Sequence, residues 1–116
     1  MVKLANAEQM LEKKATRAAY GETLAELAEG EPVTVQMEDY AGFEKVGALG
    51  RSLPEEDRQM TTQAGDIVLY QGDQIVLFYG SNTWSYTPLG RIEDLTGWQE
   101  ALGSGSVSVT FRAKEE

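Results

Sequence analysis

The chain has 116 residues, the usual size of one domain and enough to bury a core without covalent staples. It holds no cysteine and no histidine, which removes disulfides, thiolate nucleophiles, zinc–thiolate sites and the commonest general base together. Ten basic residues against nineteen acidic ones give a formal charge of −9, which argues against nucleic acid and against an anionic membrane surface as partners.

No apolar run approaches the ~20 residues needed to span a bilayer, and the start Met1-Val2-Lys3-Leu4 lacks the apolar centre of a secretory signal. With no cysteine the expectation is a reducing, cytoplasmic setting, although a trimmed export signal would leave the same sequence. The acidic balance reads first as a solubility feature.

From Asn6 to about Ala28 the composition is rich in Ala, Glu, Lys and Leu, and Met10, Leu11, Lys14, Ala15 and Ala18 recur at helical spacing. Gly21 interrupts this pattern, and Leu24, Leu27 and Ala28 resume it until Gly30 and Pro32. The prediction is a helical N-terminal segment over 1–30, as two short helices or one bent one. At Val33 the period changes to two. Val33, Val35 and Met37 alternate with Thr34, Gln36 and Glu38, as in a half-buried strand. Asp39 to Gln63 reads as loop-rich, punctuated by Gly42, Gly47, Gly50 and Pro54, and such loops are where sites tend to sit.

Ile67 to Tyr70 and Gln74 to Tyr79 flank a tight connection at Gly72-Asp73, which predicts a hairpin with a type II′ turn. Both runs are almost continuously apolar, so both faces of these strands should be covered. Thr83 to Thr87 predicts another strand, with Trp84 and Tyr86 on one face, ending at Pro88. Thr96 is a candidate N-cap for a short helix carrying Trp98, Ala101 and Leu102 and stopped by Gly103. Val107, Val109 and Phe111 then alternate with polar residues in a last strand, after which Lys114 to Glu116 should fray. The sum is one domain, mainly β, of about five strands and two or three helical pieces.

Glu44-Lys45, Gly65-Asp66, Phe78-Tyr79-Gly80, Trp84-Ser85-Tyr86-Thr87, Leu89-Gly90-Arg91-Ile92 and Val107-Ser108-Val109-Thr110 stand in an order and spacing that resembles the small bacterial cyclophilin-like proteins. The resemblance covers roughly Val33 to Arg112. It implies a small β-barrel over 33–112 with helices capping its ends, in a family mostly described by fold alone. The family usually opens with a strand pair, and 1–21 reads as helix instead. The expectation is therefore an edge left unpaired, covered by the N-terminal helix or by a second copy in a homodimer.

True cyclophilins carry Gln-Gly-Gly-Asp where this chain has Gln63-Ala64-Gly65-Asp66, which raises prolyl isomerase activity as an alternative. The catalytic arginine of that family lies eight residues before the glutamine. Here that position is Glu55, a carboxylate that cannot donate when ionised, and Arg51 and Arg58 are off register. A glycosidase-like pairing of Glu44 with Asp66 would need a fixed separation of ~5 to 9.5 Å, and among nineteen acidic residues some such pair arises by chance. No catalytic residue, metal ligand or cofactor is assigned.

What remains is aromatic density. Tyr70, Tyr79, Trp84 and Tyr86 concentrate in one hairpin and the following strand, and such residues often line ligand clefts. Glu44 and Arg91 are the charged residues expected at the rim, and Gln63 is a further candidate contact. Arg91 has two readings, a carboxylate clamp or an internal ion pair. The chain is expected to bind a small molecule or short peptide. The alternatives are a divergent isomerase and an interaction domain that uses its N-terminal helix or an open edge.

Overall fold

The computed structural model describes residues 2–5, 10–13, 15–17, 33–53, 55–102 and 105–111. Ten strands follow in chain order: β1 Val2–Ala5, β2 Met10–Lys13, β3 Ala15–Arg17, β4 Val33–Tyr40, β5 Glu44–Ala48, β6 Arg58–Thr61, β7 Asp66–Tyr70, β8 Gln74–Phe78, β9 Thr83–Ile92 and β10 Val107–Phe111. Among the described residues there is one helix, α1 Trp98–Leu102, between β9 and β10. All ladders are antiparallel, and the order across the sheet is β2-β1-β10-β4-β5-β8-β7-β9-β3, with β6 pairing β9.

The hydrogen-bonded path is not a closed ring, since β2 and β3 are its two ends. Only Lys14 separates those ends in the chain, so one N-terminal stretch pairs with β1 through its first half and with β9 through its second. Along β4, β7 and β10 side chains alternate between an inner face and an outer one, as strand geometry requires. The inner cluster includes Leu4, Met37, Ile67, Leu69, Ile75, Leu77, Leu89, Val109 and Phe111. From α1, Trp98, Ala101 and Leu102 join it, and the Trp98 indole donates to the Phe78 carbonyl at 2.9 Å. A second cluster lies on the opposite face, where Val68, Val76, Phe78 and Tyr86 are buried against Phe43, Val46, Met60 and Tyr70. The two clusters explain why β7 and β8 are apolar on both faces.

The N-terminal helix is a misreading over the described residues. Met10–Lys13 and Ala15–Arg17 are strands, and Val2–Ala5 supplies the strand pair that the resemblance called for. Helix propensity is a weak preference, and here pairing of β1 with β10 and of β3 with β9 overrides it. The sheet therefore includes Val2–Ala5, ahead of the expected 33–112 core, and the strand pair expected to be missing is present, with β1 also pairing β10. The helical reading of 18–30, the stop at Gly103 and the fraying of 114–116 lie outside the described residues.

Asp39 to Gln63, read as loop-rich, contains the end of β4 and all of β5 and β6. The glycines that suggested a loop have local reasons. Gly42 sits at positive φ in the β4–β5 hairpin, and Gly47 lies where β4 crosses so closely that a Cβ would stand 2.5 Å from the Val35 side chain. The β7–β8 turn carries positive φ at both Gln71 and Gly72, the pattern of a type I′ turn rather than the II′ turn expected. Strand β9 does not end at Pro88. It runs on to Ile92, and a register shift at Ile67/Val68 lets the ladder pass the proline.

Candidate functional site

A cleft of about 460 Å³ opens on the outer face, between the β4–β5 hairpin and the start of β9. Its floor is the outer cluster. Strand alternation sends Glu44 and Val46 of β5 to this side, opposite Phe78 and Val76 of β8, while Lys45 and Gly47 face the inner core. Tyr86 of β9 is buried beneath it, with its ring edge-on to Phe78 (centroids 5.5 Å, 71°) and to Tyr70 (5.9 Å, 61°). Phe43 stacks on Phe78 at 6.4 Å with the rings 4° from parallel, and Tyr40 meets Phe43 edge-on at 6.5 Å. This interlocking of rings fixes the floor. Trp84 lines the cleft too, yet remains 56% exposed at its mouth.

Glu44 is the charged group of the cleft. Its residue is only 5% exposed, and no hydrogen-bond donor or cation among the described residues contacts its carboxylate. No polar side-chain atom among the described residues is both sealed from solvent and unpartnered, so the Glu44 oxygens open onto the cleft. Burial against the rings pushes this carboxyl up from 4.5 to about 7. Tyr86 is raised as well, by burial first. The hydrogen bond that its hydroxyl accepts from Asn82 Nδ2 at 2.8 Å acts in the opposite direction, and the Glu44 charge adds to the rise.

The sequence candidates divide. Glu44, Tyr70, Trp84 and Tyr86 line the cleft. Tyr79, Gln63 and Arg91 do not. Tyr79 packs against the inner core, and its hydroxyl donates to Asp39 Oδ1; burial, that bond and the nearby carboxylates push it up to about 12. Asp39 also stands 3.5 Å from the ammonium of Lys45, which is fully buried and donates to the Gly105 carbonyl.

Arg91 donates from Nε to Asp66 Oδ1 at 2.8 Å, and the other Asp66 oxygen accepts the Gln63 backbone N–H at 2.9 Å. With the Gln63 amide oxygen turned toward Arg91, it accepts from Nη1 at 3.1 Å and Nη2 at 2.8 Å. Of the two readings of Arg91, the internal ion pair is the one formed. Asp66 is thereby held in a loop brace and is not a second carboxylate of the cleft. Glu55 lies over the β7–β8 turn, where its carboxyl carbon is 3.1 Å from the position of a Cβ on Gly72.

Sequence reasoning passed over Tyr40, Phe43, Val46 and Asn82. For Val46 the signal is the outward period-two set 44, 46 and 48, which is hidden when the stretch is read as a loop; Tyr40, Phe43 and Asn82 lie outside that set. Among the described residues no group of three or more Asp or Glu side chains is placed to hold a metal ion, and no helix is long and apolar enough to cross a membrane.

This mainly antiparallel β architecture agrees with a cyclophilin-like class of domain. The sequence profile of the cyclophilin-like family matches residues 8–112, and the chain belongs to that family. No curated protein and no solved structure matches the chain.

Proposed function

We propose that this protein binds a small molecule or short peptide in the outer cleft over Phe43, Tyr70 and Tyr86. The observation that carries the reading is Trp84. A large aromatic side chain is left more than half exposed directly beside a floor of buried rings, where a ligand could cover it. The carboxyl of Glu44 supplies one polar group to orient what enters.

The test is two-dimensional NMR against a metabolite and peptide library, followed at the indole N–H of Trp84 with that of buried Trp98 as internal control. Binding should move the Trp84 signal, and Trp84→Ala should lose binding while leaving the melting temperature within about 2 °C, because a surface side chain contributes little to stability. A folded protein silent to every compound would end this reading.

Prolyl isomerase activity finds less support. Gln63 engages Arg91, Glu55 stands where the family places its catalytic arginine, and neither faces the cleft. Exchange of an X-Pro peptide is expected to run at its uncatalysed rate.

A further inference from the structure

An ionised carboxyl is costly to desolvate without a partner, and Glu44 has none among the described residues although it is 95% removed from solvent. Its surroundings are aromatic. Phe43, Tyr70, Trp84 and Tyr86 present rings, and ring faces attract cations and repel anions. Among the described residues no Lys or Arg lines the cleft. A neutral occupant with no donor would seal the carboxylate still further from water and leave it unpaired, a neutral donor would meet it with a weaker bond than a cation makes, and an anion would add repulsion. A metal ion finds a single carboxylate where hard cations take six or more oxygen ligands.

The volume of about 460 Å³ exceeds what a bare ammonium group needs, so the cation that fits carries an apolar stem. The chain's charge of −9 favours the approach of such a ligand over long range.

Resting on the binding reading above, we propose that the cleft takes an organic ammonium ion, with its head paired to the Glu44 carboxylate and its stem lying against Phe43, Tyr70 and Trp84. The head satisfies the unpartnered acceptor through a charge-assisted hydrogen bond, and the rings hold the adjoining carbon chain. Such a group reaches the cleft either as a free amine or as a lysine side chain on a peptide.

The experiment compares matched pairs of probes at about pH 8, where alkylamines remain charged. The free-amine pair is 2-phenylethylamine and 2-phenylethanol. The peptide pair is Nα-acetyl-lysine N-methylamide and the same compound acetylated at Nε. Binding is read at the Trp84 indole N–H in the wild-type protein and in Glu44→Gln. The expected result is that one charged probe binds at least about tenfold more tightly than its neutral counterpart, and that the preference vanishes in Glu44→Gln. Which pair shows it distinguishes a free amine from a peptide.

Equal binding of charged and neutral probes to the wild type overturns the ammonium assignment and leaves the cleft a binding site of another kind. A preference that survives in Glu44→Gln overturns it too. If neither pair binds, the ammonium assignment fails, and silence across the wider library is what would end the binding reading. The wild-type comparison decides the matter even if the variant does not fold.

Discussion

Arg91 and Asp66 are direct ladder partners between β9 and β7, and the arginine Nε lies 2.8 Å from the carboxylate. Asp66 is 6% exposed and Arg91 about half exposed, so the carboxylate is the member that depends on the pair. The same carboxylate accepts the Gln63 N–H, and the Gly65 carbonyl accepts the Ile92 N–H at 2.8 Å. The segment leading into β7 is thus tied to the end of β9 by side chain and backbone together. Asp66→Ala strands the Gln63 donor and releases the guanidinium, and is expected to cost about 2 kcal/mol in urea unfolding. Arg91→Ala leaves a buried carboxylate short of its cation and is expected to cost a comparable amount. Neither substitution should alter binding at the Trp84 indole, because neither side chain reaches the cleft.

The strands that were legible in the sequence are those whose pattern is settled locally. Val33 to Met37 and Val107 to Phe111 alternate because one face is buried, and β7 and β8 are apolar throughout because two clusters press on them from opposite sides. The N-terminus misled because Ala, Glu and Lys between Asn6 and Ala28 carry helical preference, while β3 pairs with β9, distant in sequence, and β2 with β1, which is itself held by the distant β10. Val2 and Leu4, both buried, held the period-two signal on a strand of four residues, too short to stand out. Of the residues that line the candidate cleft, Glu44, Tyr70, Trp84 and Tyr86 were legible, while Tyr40 and Phe43 were hidden in a stretch read as loop. Arg91 and Gln63 were placed at the cleft because exposed charge and motif position carry no information about the partner across the sheet.

Gly47 provides a test of the close approach between β4 and β5. A Cβ there would lie 2.5 Å from Val35 Cγ1, 2.7 Å from the Gln36 carbonyl and 2.9 Å from Met37 Cγ. The carbonyl belongs to backbone already engaged with β10, so it cannot yield without disturbing that ladder. Gly47→Ala is expected to destabilise by about 3 kcal/mol, at the upper end for one added methyl in a packed core. A guanidinium titration checks it, and a cost near zero would show that β4 and β5 separate freely.

Gln71 sits at φ 54° in the β7–β8 turn, a left-handed conformation that costs most L-residues about 1 kcal/mol. Asparagine tolerates this region better and glycine follows at position 72, so Gln71→Asn completes the Asn-Gly pair favoured in type I′ turns. The expected gain is about 0.5 kcal/mol, read as a rise of a few degrees in the melting temperature. Gln71→Val should move it the other way.

Glu44 makes stability depend on pH in a direction opposite to that of a salt-bridged carboxylate. Its folded value stands at about 7, against 4.5 for the free group, because burial disfavours the charged form. Between those values the folded protein binds more protons than the unfolded chain, so stability falls as pH rises through the window. Below about pH 4.5 both states are protonated and the group contributes nothing to the difference. Above about 7 the cost of the buried charge is present in full, about 3 kcal/mol as an upper bound. Tyr86 beside it is raised by burial first, stays a neutral phenol over this range and does not offset the effect. Glu44→Gln keeps the shape and removes the titration. It is expected to be more stable than wild type at about pH 8 and equal to it near pH 4.5, with the difference opening between. Thermal melts of the two proteins across that range measure it directly. Parallel curves for the two would mean that water reaches the Glu44 carboxylate freely and that its burial carries no electrostatic cost.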